Sequence, residues 1–222
     1  MTRVLVLRPE PGASATVKRA RERGLDALAV PLFEIEPVAW EAPQASGFDG
    51  LLLTSANAVR CGGERLKDFR ALPVYAVGET TAQAARDAGF DVAATGDCGV
   101  ERLLGSIEPK LKLVHLAGAD RKLPDKPRQE IRSIAVYRAK AIEGVDLGDA
   151  GSSIALIHSP RAGRRFAELM DADKASVTIA AISPDAADAT GAGWARVEVA
   201  EAPNDEALLA LTERLCNKAP AR

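Results

Sequence analysis

Two stretches of this chain set up the same chemistry. LLLTSANAV at 51–59 and IALIHSPRAG at 154–163 each run an apolar strand into a small hydroxyl residue that opens a helix. The first turn of a helix has unpaired backbone N–H groups and a partial positive charge, so it holds an anion without needing Lys or Arg. The candidate turns at the carboxyl ends of strands are Thr54-Ser55-Ala56-Asn57, Gly78-Glu79-Thr80-Thr81, Ala117-Gly118 with Arg121, His158-Ser159-Pro160-Arg161, and Ser183-Pro184. Small residues let a ligand approach the backbone, and hydroxyls add a donor. Pro160 and Pro184 suit the first helical position, where a missing N–H is not felt. Singly, each turn is also an ordinary helix cap. Together they suggest a long, flexible polyanion held between two domains.

No set of residues for covalent catalysis stands out. There is no Walker A loop, and PEPGAS after the first strand has one glycine, against a dinucleotide fingerprint. His115 lies within a strand and reads as core, whereas His158 ends a strand beside a candidate turn. Tyr137 and Arg138 point to opposite faces of one extended stretch, so one of them would face a cleft between domains. The Tyr137 hydroxyl can donate a proton or a hydrogen bond. Packing in a hinge is the alternative role for it.

The elements that must position these residues alternate between short apolar runs and helical patterns. RVLVLR (3–8), SATVKRARERG (14–24, capped by Ser14) and LDALAVPLF (25–33) begin as strand, helix, strand. GLLLT, SANAVRCGGERL, PVYAV and GETTAQAARDAG continue from residue 50, followed by FDVAA, GVERLLGSI and LKLVHLA. SIALIH, SPRAGRRFAELM, VTIAAI, SPDAADATGAG, ARVEVA and NDEALLALTERL repeat the alternation from 153. Ser55 and Gly78 stand 23 positions apart, and Ser159 and Ser183 stand 24 apart. This is a duplicated α/β domain with parallel sheets. FEIEPVAW (33–40) and SIAVYRAK (133–140) fit neither half. They are either a two-stranded antiparallel linker or edge strands of their own sheets.

The expected fold is therefore two doubly wound parallel-sheet α/β domains with a discontinuous first domain. Residues 1–34 and 140–222 form domain 1, residues 41–132 form domain 2, and 35–40 with 133–139 form the linker strands. The 222 residues allow two small domains, and a net charge of −2 gives no basic field to draw in nucleic acid. MTRVLVLRPEPG does not read as a signal peptide, and no apolar run approaches the roughly 20 residues of a membrane span. Cys61, Cys98 and Cys216 show no metal or disulfide spacing. A cytoplasmic monomer with reduced thiols, no metal, no cofactor, no nucleic acid and no membrane is expected.

The chain resembles the uroporphyrinogen-III synthase family. The resemblance is carried by LRPEPGAS (7–14), PLFEIEP (31–37), LLLTSANAVR (51–60), LPVYAVGETTAQAARDAGF (72–90), AGADR (117–121), VYRA (136–139) and HSPRAGRRFAEL (158–169). It implies two α/β domains joined by a two-stranded ribbon, and a linear tetrapyrrole, hydroxymethylbilane, as substrate. It implies a cofactor-independent lyase that closes the ring to uroporphyrinogen III, with loss of water and inversion of ring D through a spiro intermediate. Tyr137 matches the family's tyrosine on the crossing strand and is implied to assist departure of the hydroxyl. Thr54, Ser55, Thr80, Thr81, Ser159 and Ser183 match positions that line the cleft. Asn57, Gly78, Glu79, Gly118, Arg121, Arg138, His158 and Arg161 complete the candidate substrate-binding set. The chain departs from many relatives at Ser183-Pro184-Asp185 and in a short, proline-broken segment after Arg121. A non-catalytic clamp for a polyanionic metabolite is the alternative function.

Overall fold

The computed structural model describes residues 2–96, 99–121, 123–124, 126–148, 150–170 and 174–218. Cys98 lies outside them. The chain forms two compact units, Met1–Glu34 with Ala141–Arg222, and Ile35–Lys140.

The first unit contains β1 (Arg3–Val6), α1 (Gly12–Glu22) and β2 (Asp26–Ala29) from the N-terminal segment. After the second unit's β3 to β8, below, it continues with β9 (Ile154–Ile157), α5 (Pro160–Leu169), β10 (Thr178–Ala181), α6 (Pro184–Asp188), β11 (Arg196–Val199) and α7 (Asp205–Lys218). Its sheet has the order β11-β10-β9-β1-β2, and every neighbouring pair is parallel. The all-apolar run IALI of β9 is buried throughout, as a parallel strand covered on both faces must be. Val4, Val6, Ile154, Leu156 and Ala180 pack with Val17 and Ala20 of α1 and with Leu208, Leu209 and Leu211 of α7. Burying one such large aliphatic side chain contributes about 1.5–3 kcal/mol.

The second unit contains β4 (Gly50–Leu53), α2 (Ala56–Cys61), β5 (Val74–Val77), α3 (Glu79–Asp87), β6 (Val92–Gly96), α4 (Val100–Ser106), β7 (Lys112–Gly118) and β8 (Glu130–Ala141). With β3 (Phe33–Pro37) on the edge, its sheet has the order β3-β8-β7-β4-β5-β6. Leu51, Leu53, Val114, Leu116 and Val136 face the cluster around Phe69, Ala82 and Ala85, while Leu52 and Leu113 face Leu103 and Leu104 of α4. Among the described residues no helix is long and apolar enough to cross a membrane.

The two strand orders are the same, read outward from the middle. β9-β10-β11 corresponds to β4-β5-β6, and β1-β2 corresponds to β7-β8. The arm that ends the second unit is the N-terminal arm of the first. The internal repeat is thus a circularly permuted one, and this is why the sequence match begins only at residue 50.

Several local expectations change. Ser14 does not cap α1: the helix begins at Gly12, and Ser14 lies in its first turn, donating through N and Oγ to the Glu10 carboxylate at 3.0 and 2.8 Å. The helix read through SANAVRCGGERL stops at Cys61, because Gly63 takes φ of 64° before a separate 3₁₀ segment, Glu64–Phe69. LDALAVPLF is not one strand, since β2 ends at Ala29 and β3 starts at Phe33. β8 is longer than the 133–140 stretch and pairs in parallel with β7 from Glu130 onward.

Candidate active site

In open parallel sheets, ligands bind beyond the carboxyl ends of the strands, where the strand order reverses. In the second unit that point lies between β4 and β7. Thr54 and Ser55 follow β4 directly. Ser55 caps α2, its Oγ accepting from the Asn57 N–H at 3.2 Å. The oxygen is used, but the hydroxyl proton remains available to a ligand. Thr54 Oγ1 lies 3.0 Å from His115 Nε2, and His115 Nδ1 lies 3.2 Å from Ser133 Oγ. His115 is fully buried. Burial, helped by the charge of Arg121, lowers its pKa to about 4, so the ring is neutral.

Tyr137 owes its direction to a bulge. Along β8, Ile131 and Ser133 face the α4 side, and Ile134 and Val136 face the other. Simple alternation would send Tyr137 to the α4 side. The register instead jumps from Ala117↔Ala135 to Gly118↔Tyr137, leaving Val136 as the extra residue. Tyr137 then packs with Val136 against the Phe69 cluster. Bulges of this kind re-aim a side chain and raise local twist. The ring lies close against Gly118, where a Cβ would come within 2.9 Å of Tyr137 Cε2 and Cζ. Gly118 therefore makes room for Tyr137, a role separate from opening a ligand turn. The Tyr137 carbonyl also accepts from the Ala119 N–H at 2.9 Å, pinning the end of the strand.

The other candidates of this unit are placed more loosely. Gly78 precedes α3 with φ of 79°, a conformation that favours glycine. Glu79 pairs with Arg86 at 2.6 Å. Thr80 is exposed, whereas Thr81 is buried at 5 % exposure inside the unit. Asn57 Oδ1 accepts from Arg60 at 3.0 Å, and Arg121 is exposed. Arg138 points away from Tyr137 and pairs with Glu36 at 2.8 Å, beside Lys140 on the same carboxylate.

In the first unit the equivalent point lies between β9 and β1. His158 follows β9, and Ser159 caps α5, its Oγ accepting from the Ala162 N–H at 3.2 Å. Ser183 caps α6 in the same way through Ala186, at 3.3 Å. Arg161 lies over the Phe33 ring, 4.6 Å from its centroid. His158 is not offered outward. Its side chain is 7 % exposed, and Nε2 lies 2.9 Å from Asp205 Oδ1. Burial lowers the His158 pKa despite Asp205, so a neutral ring donates to an ionised carboxylate.

Asp205, at the start of α7, is the hub of a network not visible in the sequence. It accepts from Thr16 Oγ1 at 3.0 Å and from Arg19 Nε at 2.9 Å, with Arg8 Nη1 at 3.5 Å. Burial alone would raise its pKa. The hydrogen bonds from His158 and Arg19 win and hold it far below the usual carboxylate range. Arg8 lies across Gly12, where a Cβ would meet its Nε at 2.6 Å. Arg8, Thr16, Arg19 and Asp205 were all missed by motif reading. Only the position of Arg8 just after the first strand was a clue, because 189 residues separate Thr16 from Asp205.

The sequence matches the family described as uroporphyrinogen-III synthase HemD over residues 14–210. The uroporphyrinogen-III synthase of Chlorobaculum parvum is 36% identical over 92 residues, covering 37% of this chain and 37% of that one. A putative uroporphyrinogen-III synthase of Archaeoglobus fulgidus is 36% identical over 81 residues, covering 36% of this chain and 34% of that one. The chain thus spans little more than a third of the length of these curated relatives. Two crystal structures share the fold along nearly the whole chain. The Helicobacter pylori uroporphyrinogen-III synthetase gives a TM-score of 0.66 at 20% identity, covering 97% of this chain and 100% of that one. A mutant synthase of Thermus thermophilus gives 0.57 at 22% identity, covering 98% and 100%.

Proposed function

The chain belongs to the uroporphyrinogen-III synthase family, and from that premise we propose that it closes hydroxymethylbilane to uroporphyrinogen III as a cofactor-independent lyase. The observation that carries the proposal is Tyr137, turned by a bulge at the end of β8 and seated against Gly118. Tyr137 donates a proton to the departing hydroxyl of the ring A hydroxymethyl group, which leaves as water. The electrophile so formed is attacked by the substituted carbon of ring D. The resulting spiro intermediate fragments and recloses with that ring inverted.

The substrate is reactive enough to close unaided to the uninverted isomer, so the protein's task is mainly geometric, which is catalysis by positioning. The helix starts at Ser55, Gly78, Ser159 and Ser183 suit that task. All four offer backbone N–H groups to carboxylates, the three serines add hydroxyl protons, and each unit brings its own set. We place the enzyme in the cytoplasm as a monomer.

The test is incubation of the purified protein with fresh hydroxymethylbilane, followed by oxidation and separation of the porphyrin isomers. Isomer III above the spontaneous isomer I is expected. Tyr137→Phe should lower the rate of isomer III formation by about 100-fold, the lower range of acid–base assistance, with substrate binding retained. Isomer I alone from folded protein would overturn the catalytic assignment and leave a binding protein for linear tetrapyrroles.

A further inference from the structure

The line Ser133–His115–Thr54 crosses the second unit's sheet beneath its carboxyl end. The register makes it. His115 on β7 stands opposite Leu52 on β4 and opposite Ser133 on β8. Thr54, two residues beyond Leu52, faces the same side of the sheet. The contacts are 3.0 Å at Nε2 and 3.2 Å at Nδ1, on a ring with no exposed surface.

A neutral imidazole carries one donor and one acceptor, so the line can run in only two directions. In one, Thr54 gives its proton to Nε2, and Nδ1–H donates to Ser133. Thr54 then offers only lone pairs, which a carboxylate repels. In the other, Ser133 donates to Nδ1, and Nε2–H donates to Thr54. The Thr54 proton is then free for a group outside the line. The second direction uses the Nε2–H tautomer, which neutral histidine favours intrinsically, and it puts the N–H on the shorter contact. The Ser133 hydroxyl can supply the donor that this direction needs at Nδ1, and a hydrogen bond at one ring nitrogen constrains the state of the other.

We propose that His115 is a positioning residue: with Ser133 it holds the Thr54 hydroxyl so that its proton is presented to a substrate carboxylate. The identity of that carboxylate rests on the synthase reading above. His115 itself touches no substrate. The proposal also accounts for a polar triplet inside an apolar sheet, where a Leu at 115 would pack without any partner.

Two measurements test it. The ¹⁵N shifts of His115 in the intact protein at neutral pH report the tautomer without reference to activity. Protonated Nε2 with an accepting Nδ1 is expected, the Nδ1 shift moving when Ser133→Ala removes its donor while the tautomer stays, and protonated Nδ1 overturns the proposal. The second is a double-mutant cycle in the ring-closure assay with Thr54→Val and His115→Leu. Each single variant should raise KM about tenfold, the scale of one hydrogen bond to a charged group. His115→Leu should add nothing once Thr54 is Val. An equal penalty in both backgrounds would mean that His115 acts on stability alone, and the proposal fails. If His115→Leu does not fold, Ser133→Ala takes its place in the cycle. If the wild-type protein forms no isomer III, the synthase reading fails while the tautomer still decides the direction of the line.

Discussion

His115 should make the fold sensitive to mild acid, and the size of the effect follows from its burial. Its pKa in the folded protein is about 4, while an unfolded chain has the ordinary value of about 6.5. Above pH 6.5 both states are neutral there, and the full stability is present. As pH falls through the window from 6.5 to 4, the unfolded chain takes up a proton that the fold refuses. Stability then drops by about 1.4 kcal/mol per pH unit, reaching about 3 kcal/mol near pH 4. Against a typical total of about 5–15 kcal/mol this is a large share. The assay is urea unfolding of the wild type and of His115→Gln at pH 7 and pH 4.5. Gln keeps a donor and an acceptor but cannot titrate. The wild type should lose roughly 2–3 kcal/mol more than the variant over that interval. Other acid-sensitive groups, His158 and Asp205 among them, act in both proteins and cancel. Equal losses would show that His115 is protonated in the fold, and the neutral-ring argument would fall.

Gly118→Ala should displace the Tyr137 ring, costing about 1–3 kcal/mol of stability by overpacking, and should slow isomer III formation by more than that loss explains; thermal melts and the ring-closure assay on one preparation separate the two. Asp205→Ala leaves His158, Thr16, Arg8 and Arg19 without their shared acceptor and should destabilise the first unit by about 2–4 kcal/mol, read by urea unfolding, with Asp205→Asn losing less. Ser159→Ala should cost about 1 kcal/mol through the lost cap, and Ser159→Gly only a few tenths, in the same unfolding assay.

The alternation of apolar runs and helical patterns was legible because parallel strands buried on both faces are written as unbroken apolar stretches. GLLL and IALI are buried at every position. The helix-start serines were legible for the same local reason, since Ser55, Ser159 and Ser183 each cap the helix that they open. What escaped was whatever depends on register or on long-range pairing. The turn of Tyr137 onto the Val136 side depends on one extra residue in β8, which alternation cannot show. The role of Gly118 depends on that turn. Asp205 reads as an ordinary acidic residue in the first turn of a helix, and nothing local reveals that Thr16, Arg19 and His158 converge on it. Thr81 matched a motif yet is buried, because the third residue of a helix start can fall on the inward face as easily as outward.

The permuted repeat makes Thr54 and His158 equivalent, each being the first residue beyond the central strand and just before a capping serine. Their side chains differ, yet each is held by one hydrogen bond involving a neutral, buried imidazole. In the second unit the ring comes from the neighbouring strand and meets the hydroxyl of Thr54. In the first unit the ring is residue 158 itself, and it meets a carboxylate at the start of α7. The duplicated position has kept its restraint while exchanging which element supplies the imidazole. The capping serine that follows is extended in both units, with φ of −155° at Ser55 and −163° at Ser159. Burial lowers the pKa of both rings, so in each unit the restraint comes from a neutral imidazole and not from an imidazolium.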